Sequence, residues 1–215
     1  MLLMAGYGGK VWQLGRLTSV LLEAGYNVTA IDYDDIVLSS GDPQMLLDLT
    51  EEVCQQARRT LEQYKLPVLC VGFSLGALLS LNVMRRDTAF RRGVWITGGD
   101  IVKVAQRLYG KKVWPQPYAE LASAWRTVNM YSDPPLHDVS AVMILPTHDR
   151  LIDPDDVRSE VAKQQQDASN NITLIEHNRY RLTGLKGAHV GTIVEESVLF
   201  PERVLKYIKM LDKPA

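Results

Sequence analysis

The chain has 215 residues, of which 46% are hydrophobic and 23% are charged, a balance typical of a folded globular protein rather than a disordered, fibrous or membrane-spanning one. Lys and Arg number 24 against 25 Asp and Glu, so the net charge of −1 offers no excess positive charge to attract a nucleic acid or an anionic membrane. The N-terminus lacks the basic and long apolar regions of a signal peptide. With only Cys54 and Cys70, a disulfide framework or metal site is not expected, and the sequence predicts a cytoplasmic protein.

Short apolar runs alternate with segments of helical periodicity along most of the chain. We predict strands at residues 2–5, 27–31, 68–71, 93–97, 141–145 and 172–175. We predict helices at residues 11–24, 43–65 and 75–86, another that begins at Pro154, and one at 201–211. This alternation predicts an α/β fold, with a mostly parallel sheet covered by helices on both faces.

Residues from about 100 to 138 interrupt this alternation and are rich in aromatic residues and proline. We interpret this segment as a helical cap inserted into a single domain that spans residues 1–215. Its aromatic residues either line a substrate pocket or pack the cap onto the core, and the sequence favours neither. The candidate substrate-binding residues in the cap are Tyr109, Trp114, Tyr118 and Trp125.

A serine lies between a predicted apolar strand and a predicted apolar helix. Residues 72–76 match the pattern Gly-x-Ser-x-Gly, with Ser74 at its centre. In that context the small residues permit a sharp turn that projects the serine hydroxyl from the carboxyl edge of the sheet. The alternative is a glycine-rich turn that contains a serine by chance, since the pattern alone is only a hypothesis.

A serine nucleophile needs a base, and the base needs a carboxylate to orient it. Among the four histidines we favour His189, because it follows the last predicted strand in a glycine-flanked loop at the same sheet edge. Asp149 lies a few residues after the strand at 141–145, where its carboxylate could meet this imidazole. Asp153 and Asp100 are the alternatives, although Asp153 precedes Pro154 and therefore resembles a helix N-cap.

The glycine-rich loop after the first strand, residues 5–9, matches neither a dinucleotide-binding motif nor a phosphate-binding loop. We interpret it instead as a loop that offers a backbone N–H, from Tyr7, to the carboxyl edge of the sheet. The N–H of Leu75, directly after the serine, would be the second donor. Two such donors would hold the oxyanion of a tetrahedral intermediate.

Four segments, residues 5–9, 72–76, 147–154 and 187–191, together resemble the α/β-hydrolase family of serine esterases and lipases, in that family's order. The resemblance covers nearly the whole chain. It implies Ser74 as nucleophile, His189 as base, Asp149 as acid, and Tyr7 and Leu75 as oxyanion donors.

The sequence departs from the family pattern at three places. Ala5 stands where the family usually has a histidine before the glycine, and residues 32–35 replace a glycine-containing run. The first predicted strand corresponds to the third strand of the family, so we expect a minimal sheet or a shortened start. An exposed sheet edge would then favour a homodimer.

The resemblance predicts hydrolysis of a small-molecule carboxylic ester with a short to medium acyl chain, without a metal or an organic cofactor. Two alternatives stay open. One is a peptidase, thioesterase or acyltransferase with the same three residues, and the other is a non-catalytic binding protein with a hydrolase-like scaffold.

Overall fold

The protein is described here by a computed structural model, in which one sheet carries all of the strands that are described. The described residues are 1–33, 42–113, 125–126, 128–129, 136–178 and 186–211. The strands are β1 (Leu2–Met4), β2 (Thr29–Ile31), β3 (Leu69–Phe73), β4 (Arg92–Ile96), β5 (Ser140–Pro146) and β6 (Asn171–His177). The helices are α1 (Gly15–Glu23), α2 (Pro43–Tyr64), α3 (Leu75–Arg86), α4 (Ile101–Val113), α5 (Pro154–Gln164), α6 (Gly187–Val194) and α7 (Glu202–Met210).

The six strands lie in the order β2-β1-β3-β4-β5-β6, and every neighbouring pair is parallel. The α/β architecture predicted from the sequence is therefore confirmed. Because all of the strands run in one direction, their carboxyl ends meet along a single edge, where ligands bind in sheets of this kind. The connections after β1, β3 and β5 start at that edge, and β6 also ends there.

The sheet is buried on both faces, which explains its continuous apolar runs. Neighbouring residues of one strand point to opposite faces, so Leu2 and Met4 pack into one hydrophobic layer and Leu3 packs into the other. The first layer contains residues of α2, α3 and α5, and the second contains residues of α1 and α7. This two-sided core holds the sheet edge and its loops in place.

The helix ends follow the local sequence. Gly25 has a φ of 88° just after α1, a conformation that favours glycine, and it ends that helix as expected. Asp153 caps α5, because its carboxylate accepts a hydrogen bond from the N–H of Asp155 (3.0 Å) and Pro154 occupies the first helical position. In the part of the chain that the structure describes, no helix combines the length and the apolar character that crossing a membrane would require.

Candidate active site

Ser74 lies in the sharp turn that joins β3 to α3. Its backbone has a φ of 51° and a ψ of −112°, a strained conformation for a residue with a side chain. A Cβ at Gly72 would lie 2.2 Å from the Gly76 carbonyl oxygen, and a Cβ at Gly76 would lie 2.3 Å from the Met4 carbonyl oxygen. Only glycine fits at these two positions, so the pattern Gly-x-Ser-x-Gly is a steric requirement of this turn.

His189 connects the serine to a buried carboxylate. Its Nε2 lies 2.9 Å from Ser74 Oγ, and its Nδ1 lies 2.9 Å from Asp149 Oδ2. The side chains of His189 and Asp149 are 4% and 0% exposed, so the contact between them is shielded from water. In this arrangement Nε2 can accept the serine proton, while the carboxylate stabilises the resulting imidazolium.

The position of His189 differs from expectation in one respect. The sequence predicts a glycine-flanked loop, whereas the structure has His189 in the first turn of α6. Gly187 and Gly191 did not prevent helix formation, because packing of Ala188, His189 and Thr192 into the interior offsets the low helix propensity of glycine. The imidazole is therefore held by a helix rather than by a loop.

The loop after β5 orients the Asp149 carboxylate. Oδ1 accepts hydrogen bonds from the N–H groups of Leu151 (2.8 Å) and Ile152 (3.0 Å), which leaves Oδ2 to face His189. The Thr147 N–H continues the pairing of β5 with β6 by donating to the carbonyl of His177 (2.9 Å). Both oxygens of this buried carboxylate thus have polar partners.

The two alternative acids lie in other environments. Asp100 caps α4, where its Oδ1 accepts from the N–H groups of Val102 (2.8 Å) and Lys103 (3.1 Å). Asp153 caps α5 and also faces the guanidinium of Arg107 at 3.4 Å. Each therefore has a structural role at a helix N-terminus, and of the three carboxylates Asp149 is the one in contact with His189.

The glycine-rich loop after β1 lies against the serine. A Cβ at Gly6 would lie 3.2 Å from Ser74 Cβ, and both Tyr7 and Leu75 line the cleft beside the serine hydroxyl. Leu75 is the first residue of α3, where backbone N–H groups have no carbonyl partner within the helix. Both residues therefore lie near the serine hydroxyl, and the oxyanion role that the resemblance implies for their N–H groups stays a prediction.

Tyr33 supports the same loop in a way that the sequence analysis did not anticipate. Tyr33 comes two residues after the edge strand β2, and its buried hydroxyl donates a hydrogen bond to the carbonyl of Ala5. Two features of the sequence could have pointed to this contact: residues 32–35 depart from the family pattern, and position 5 has an alanine instead of the usual histidine. These features alone did not indicate a contact between the two segments.

The cleft beside Ser74 has a volume of about 100 Å³ and is mostly apolar. It is small compared with the pockets of about 300–1,000 Å³ that hold drug-sized ligands. Its aliphatic walls come from α3, α4, the Asp149 loop and α6, and Lys186 is the charged residue among its described lining. The described aliphatic residues are Leu75, Leu78, Ile101, Val104, Leu151, Ile152, Val190 and Ile193.

Of the four aromatic residues predicted to bind substrate in the cap, the structure describes the side chain of one, Trp125. Trp125 is 1% exposed and packs within the hydrophobic layer that contains α3, and it is not among the described residues that line the cleft. For Trp125 the structure therefore corresponds to the packing alternative rather than to substrate binding. Trp114, Tyr118 and the side chain of Tyr109 lie outside the described residues.

Solved structures similar to this one cover nearly the whole chain. An esterase from Pyrococcus furiosus superposes with a TM-score of 0.65 at 21% identity, covering 98% of this chain and 80% of its own. A proposed hydrolase of the alpha/beta superfamily from Xanthomonas campestris pv. campestris gives 0.60 at 17%, with coverage of 95% and 96%. A carboxylesterase from Bacillus cereus gives 0.56 at 15%, with coverage of 90% and 85%.

No protein-family model matches the sequence, and no curated protein shows significant sequence similarity to it. At the identities of the solved structures, similarity shows the fold alone. The fold-level resemblance predicted from the sequence is therefore confirmed, and the chain has the α/β-hydrolase fold.

Proposed function

We propose that this chain, which has the α/β-hydrolase fold, is a serine hydrolase that cleaves carboxylic esters of short to medium acyl chain through an acyl-enzyme on Ser74. The observation that carries the proposal is the continuous contact from Asp149 through His189 to Ser74, with both distances at 2.9 Å. The strained φ of 51° at Ser74 supports it, because such strain concentrates at functional sites.

In the proposed reaction, Ser74 Oγ attacks the ester carbonyl carbon while His189 Nε2 takes the hydroxyl proton. The carbonyl oxygen becomes an oxyanion beside the N–H groups of Tyr7 and Leu75. The intermediate then collapses, the bond to the alcohol oxygen breaks, and His189 returns its proton to that oxygen. Water, deprotonated by His189, next attacks the acyl-enzyme, which releases the carboxylic acid and restores Ser74.

The size and lining of the cleft support a small apolar acyl group. A cleft of about 100 Å³ suits a short acyl chain, and its walls are mainly aliphatic. The surroundings of Ser74 include apolar residues of α3 and α4 that would exclude water from an acyl chain. We therefore take acetyl to hexanoyl esters as the range to test, and the esterases among the similar structures support esters rather than peptides as substrates.

Covalent labelling tests the nucleophile. A fluorophosphonate probe should phosphonylate Ser74 with loss of fluoride, so the mass of the intact protein should rise by one adduct. Ser74→Ala should abolish both labelling and hydrolysis of 4-nitrophenyl acetate. Ser19→Ala, which changes an exposed serine on α1, should change neither. If the wild-type protein stays unlabelled and inactive on all esters, the proposed function is wrong.

A substrate panel separates esterase activity from the other activities that the same three residues support. We expect 4-nitrophenyl acetate and butyrate to be hydrolysed with a kcat/KM at least about 100-fold above that of aminoacyl 4-nitroanilides, since 4-nitrophenoxide leaves more easily than 4-nitroaniline, which must be protonated to depart. Acyl-CoA substrates and transfer to added alcohols complete the panel. Preference for an anilide, a thioester or an alcohol acceptor would redirect the assignment to a peptidase, thioesterase or acyltransferase.

Two further proposals concern the state of the protein. We propose a cytoplasmic location, supported by buried Cys54 and Cys70, which are free thiols. We also propose a homodimer through an edge of the sheet, where β2 at one end or β6 at the other is the outer strand. Fractionation of cells and sedimentation analysis of the purified chain test these two proposals.

A further inference from the structure

Arg107, on α4, contacts the loop that carries the acid of the site, residues 147–152, which we call the acid loop. Its Nη1 donates a hydrogen bond of 2.8 Å to the backbone carbonyl of Leu151. Its Nη2 lies 3.4 Å from a carboxylate oxygen of Asp153, which caps α5. The guanidinium is 29% exposed, and Leu151 is buried. The shorter of the two contacts is thus made with the backbone of the acid loop.

The carbonyl that Arg107 holds belongs to the peptide unit between Leu151 and Ile152. The N–H of the same unit, on Ile152, donates a hydrogen bond of 3.0 Å to Asp149 Oδ1. Because a peptide unit is planar and rigid, its carbonyl and its N–H move together. A single peptide therefore bridges the guanidinium of α4 and the carboxylate of the acid loop.

This bridge continues into the contacts of the active site. Asp149 Oδ2 faces His189 Nδ1 at 2.9 Å, and His189 Nε2 faces Ser74 Oγ at the same distance. The direction of Oδ2 is set by the two N–H groups that hold Oδ1, one of which belongs to the bridging peptide. The positive charge of Arg107 at the carbonyl also polarises that peptide and strengthens its N–H as a donor.

A second cation on α4 provides a comparison. Lys103 lies one helical turn before Arg107, and its Nζ is 2.7 Å from a carboxylate oxygen of Asp156. Asp156 lies within α5, so this ion pair connects the two helices directly. Loss of the lysine should loosen α4 against α5, whereas loss of the arginine should also release the acid loop.

The two segments that Arg107 joins are both walls of the cleft. Ile101 and Val104 of α4 line it, and so do Leu151 and Ile152 of the acid loop. A displaced wall would alter binding of the acyl group and would appear in KM. A misdirected carboxylate would instead slow proton transfer by the base and would appear in kcat. The two effects can therefore be separated by kinetics.

We infer that Arg107 is a positioning residue for the proposed hydrolysis, which holds the Asp149 carboxylate, through the peptide between residues 151 and 152, in the direction that orients His189. This inference rests on the proposed function and adds to it a residue from outside the described lining of the cleft. A peptide and a carboxylate separate Arg107 from His189, so it acts on the geometry of the base and not on the reacting atoms.

Replacing each cation by methionine tests the inference. Arg107→Met should lower kcat for 4-nitrophenyl acetate about 10-fold or more and keep KM within about 2-fold, because a small misplacement of a catalytic group slows the chemistry. His189 serves both acylation and deacylation, so both steps should slow alike. Lys103→Met is the matched control and should keep kcat within about 2-fold of the wild type. Arg107→Lys, which keeps a charged donor, should recover most of the loss.

Thermal unfolding of each variant checks that the fold is retained. If Arg107→Met does not fold, Arg107→Gln, whose side chain is too short to reach the carbonyl in the same way, is measured in its place with the same expectation. A fall in kcat that Lys103→Met shares to the same extent would mean that both residues only hold α4 in place, and the inference would be wrong.

A double-mutant cycle with Asp149 tests the route. In an Asp149→Asn background, Arg107→Met should lower the remaining kcat by no more than about 2-fold, because the carboxylate through which it acts is already gone. If Arg107→Met still lowers kcat about 10-fold in that background, it acts by another route and the inference is wrong.

A measurement without substrate keeps this inference separate from the proposed reaction. The proton between His189 Nδ1 and Asp149 should give a proton resonance far downfield of the backbone amides, because its partner is a carboxylate shielded from water. In Arg107→Met this resonance should broaden or disappear through faster exchange with water, and in Lys103→Met it should persist.

The two possible failures are distinguishable. If the wild type hydrolyses esters but kcat and the downfield resonance are the same in both methionine variants, Arg107 is not a positioning residue and the proposed function stands. If the wild type is inactive on all esters while the resonance is lost in Arg107→Met alone, the proposed function is wrong and the link from Arg107 to Asp149 is upheld.

Discussion

The carbonyl oxygen of Met4, at the end of β1, lies 2.3 Å from the point where a side chain at Gly76 would begin. The first turn of α3 thus approaches the backbone of β1 directly, without an intervening side chain. This approach brings Ser74 and the loop after β1 together on one edge of the sheet. The absence of a side chain at position 76 is therefore a condition for the site to form.

We expect Gly76→Ala to lower the free energy of unfolding by about 3 kcal/mol, because its methyl group would collide with rigid backbone. Gly15→Ala is the matched control. Gly15 has helical φ and ψ angles of −57° and −40°, and a methyl group added there would meet no heavy atom within 4 Å. It should raise stability by about 0.5–1 kcal/mol. Urea unfolding followed by circular dichroism measures both, and equal midpoints would contradict the steric argument.

Exchanging carboxylates for amides should identify the acid. Asp149→Asn should reduce kcat by about 10³-fold or more, because an amide facing His189 favours the wrong imidazole tautomer. Asp100→Asn and Asp153→Asn should each keep kcat within about 3-fold and stability within about 0.5 kcal/mol, since asparagine caps helices as well as aspartate does. Ester hydrolysis and thermal unfolding measure the three variants. A large loss of kcat in either capping variant would assign the acid elsewhere.

The contact from Tyr33 to Ala5 predicts a positioning residue. Tyr33→Phe should lower kcat about 10-fold with little change in KM. Without this hydrogen bond the loop would shift and the Tyr7 N–H would no longer point at the oxyanion, whereas binding of the uncharged ester would change little. The matched control is Tyr207→Phe, which also removes a buried hydroxyl, one that donates to Glu196 at 3.1 Å. Both variants should lose about 1 kcal/mol of stability. Only the first should lose activity, and equal kcat values in the two would contradict the positioning role.

Asp167 predicts a pH dependence of stability outside the site. Hydrogen bonds from His137 and then from Ser169 lower the pKa of this carboxyl from 3.8 to about 2. A lowered pKa in the folded state stabilises the protein above the unfolded pKa, and that stabilisation is lost as the pH falls from about 4 to about 2. The Tm difference between the wild type and Asp167→Asn should therefore shrink towards zero across this window. Ser169→Ala removes the hydroxyl donor to the same carboxylate and keeps the backbone N–H donor, so it should show a smaller loss of Tm over the same window. A Tm difference that grows on acidification would contradict the assignment.

Most of the sheet was predictable because strands buried on both faces appear as short apolar runs between helical segments. The runs at 68–71 and 141–145 overlap β3 and β5, and the turn between β3 and α3 was visible from Gly72 and Gly76. The helical state of His189 was not predictable, since the two glycines of α6 argue locally for a loop. The contact of Tyr33 with Ala5 was equally hidden, because the two residues follow different strands.

Local patterns in the chain were sufficient for the alternation of strands and helices, the sharp turn at Ser74 and the capping role of Asp153, because each depends on neighbours within a few residues. The meeting of Ser74, Asp149 and His189, the burial of Trp125 and the cleft beside the serine depend on how distant segments pack. Their positions are set by strand order and register across the sheet, which adjacent residues do not encode.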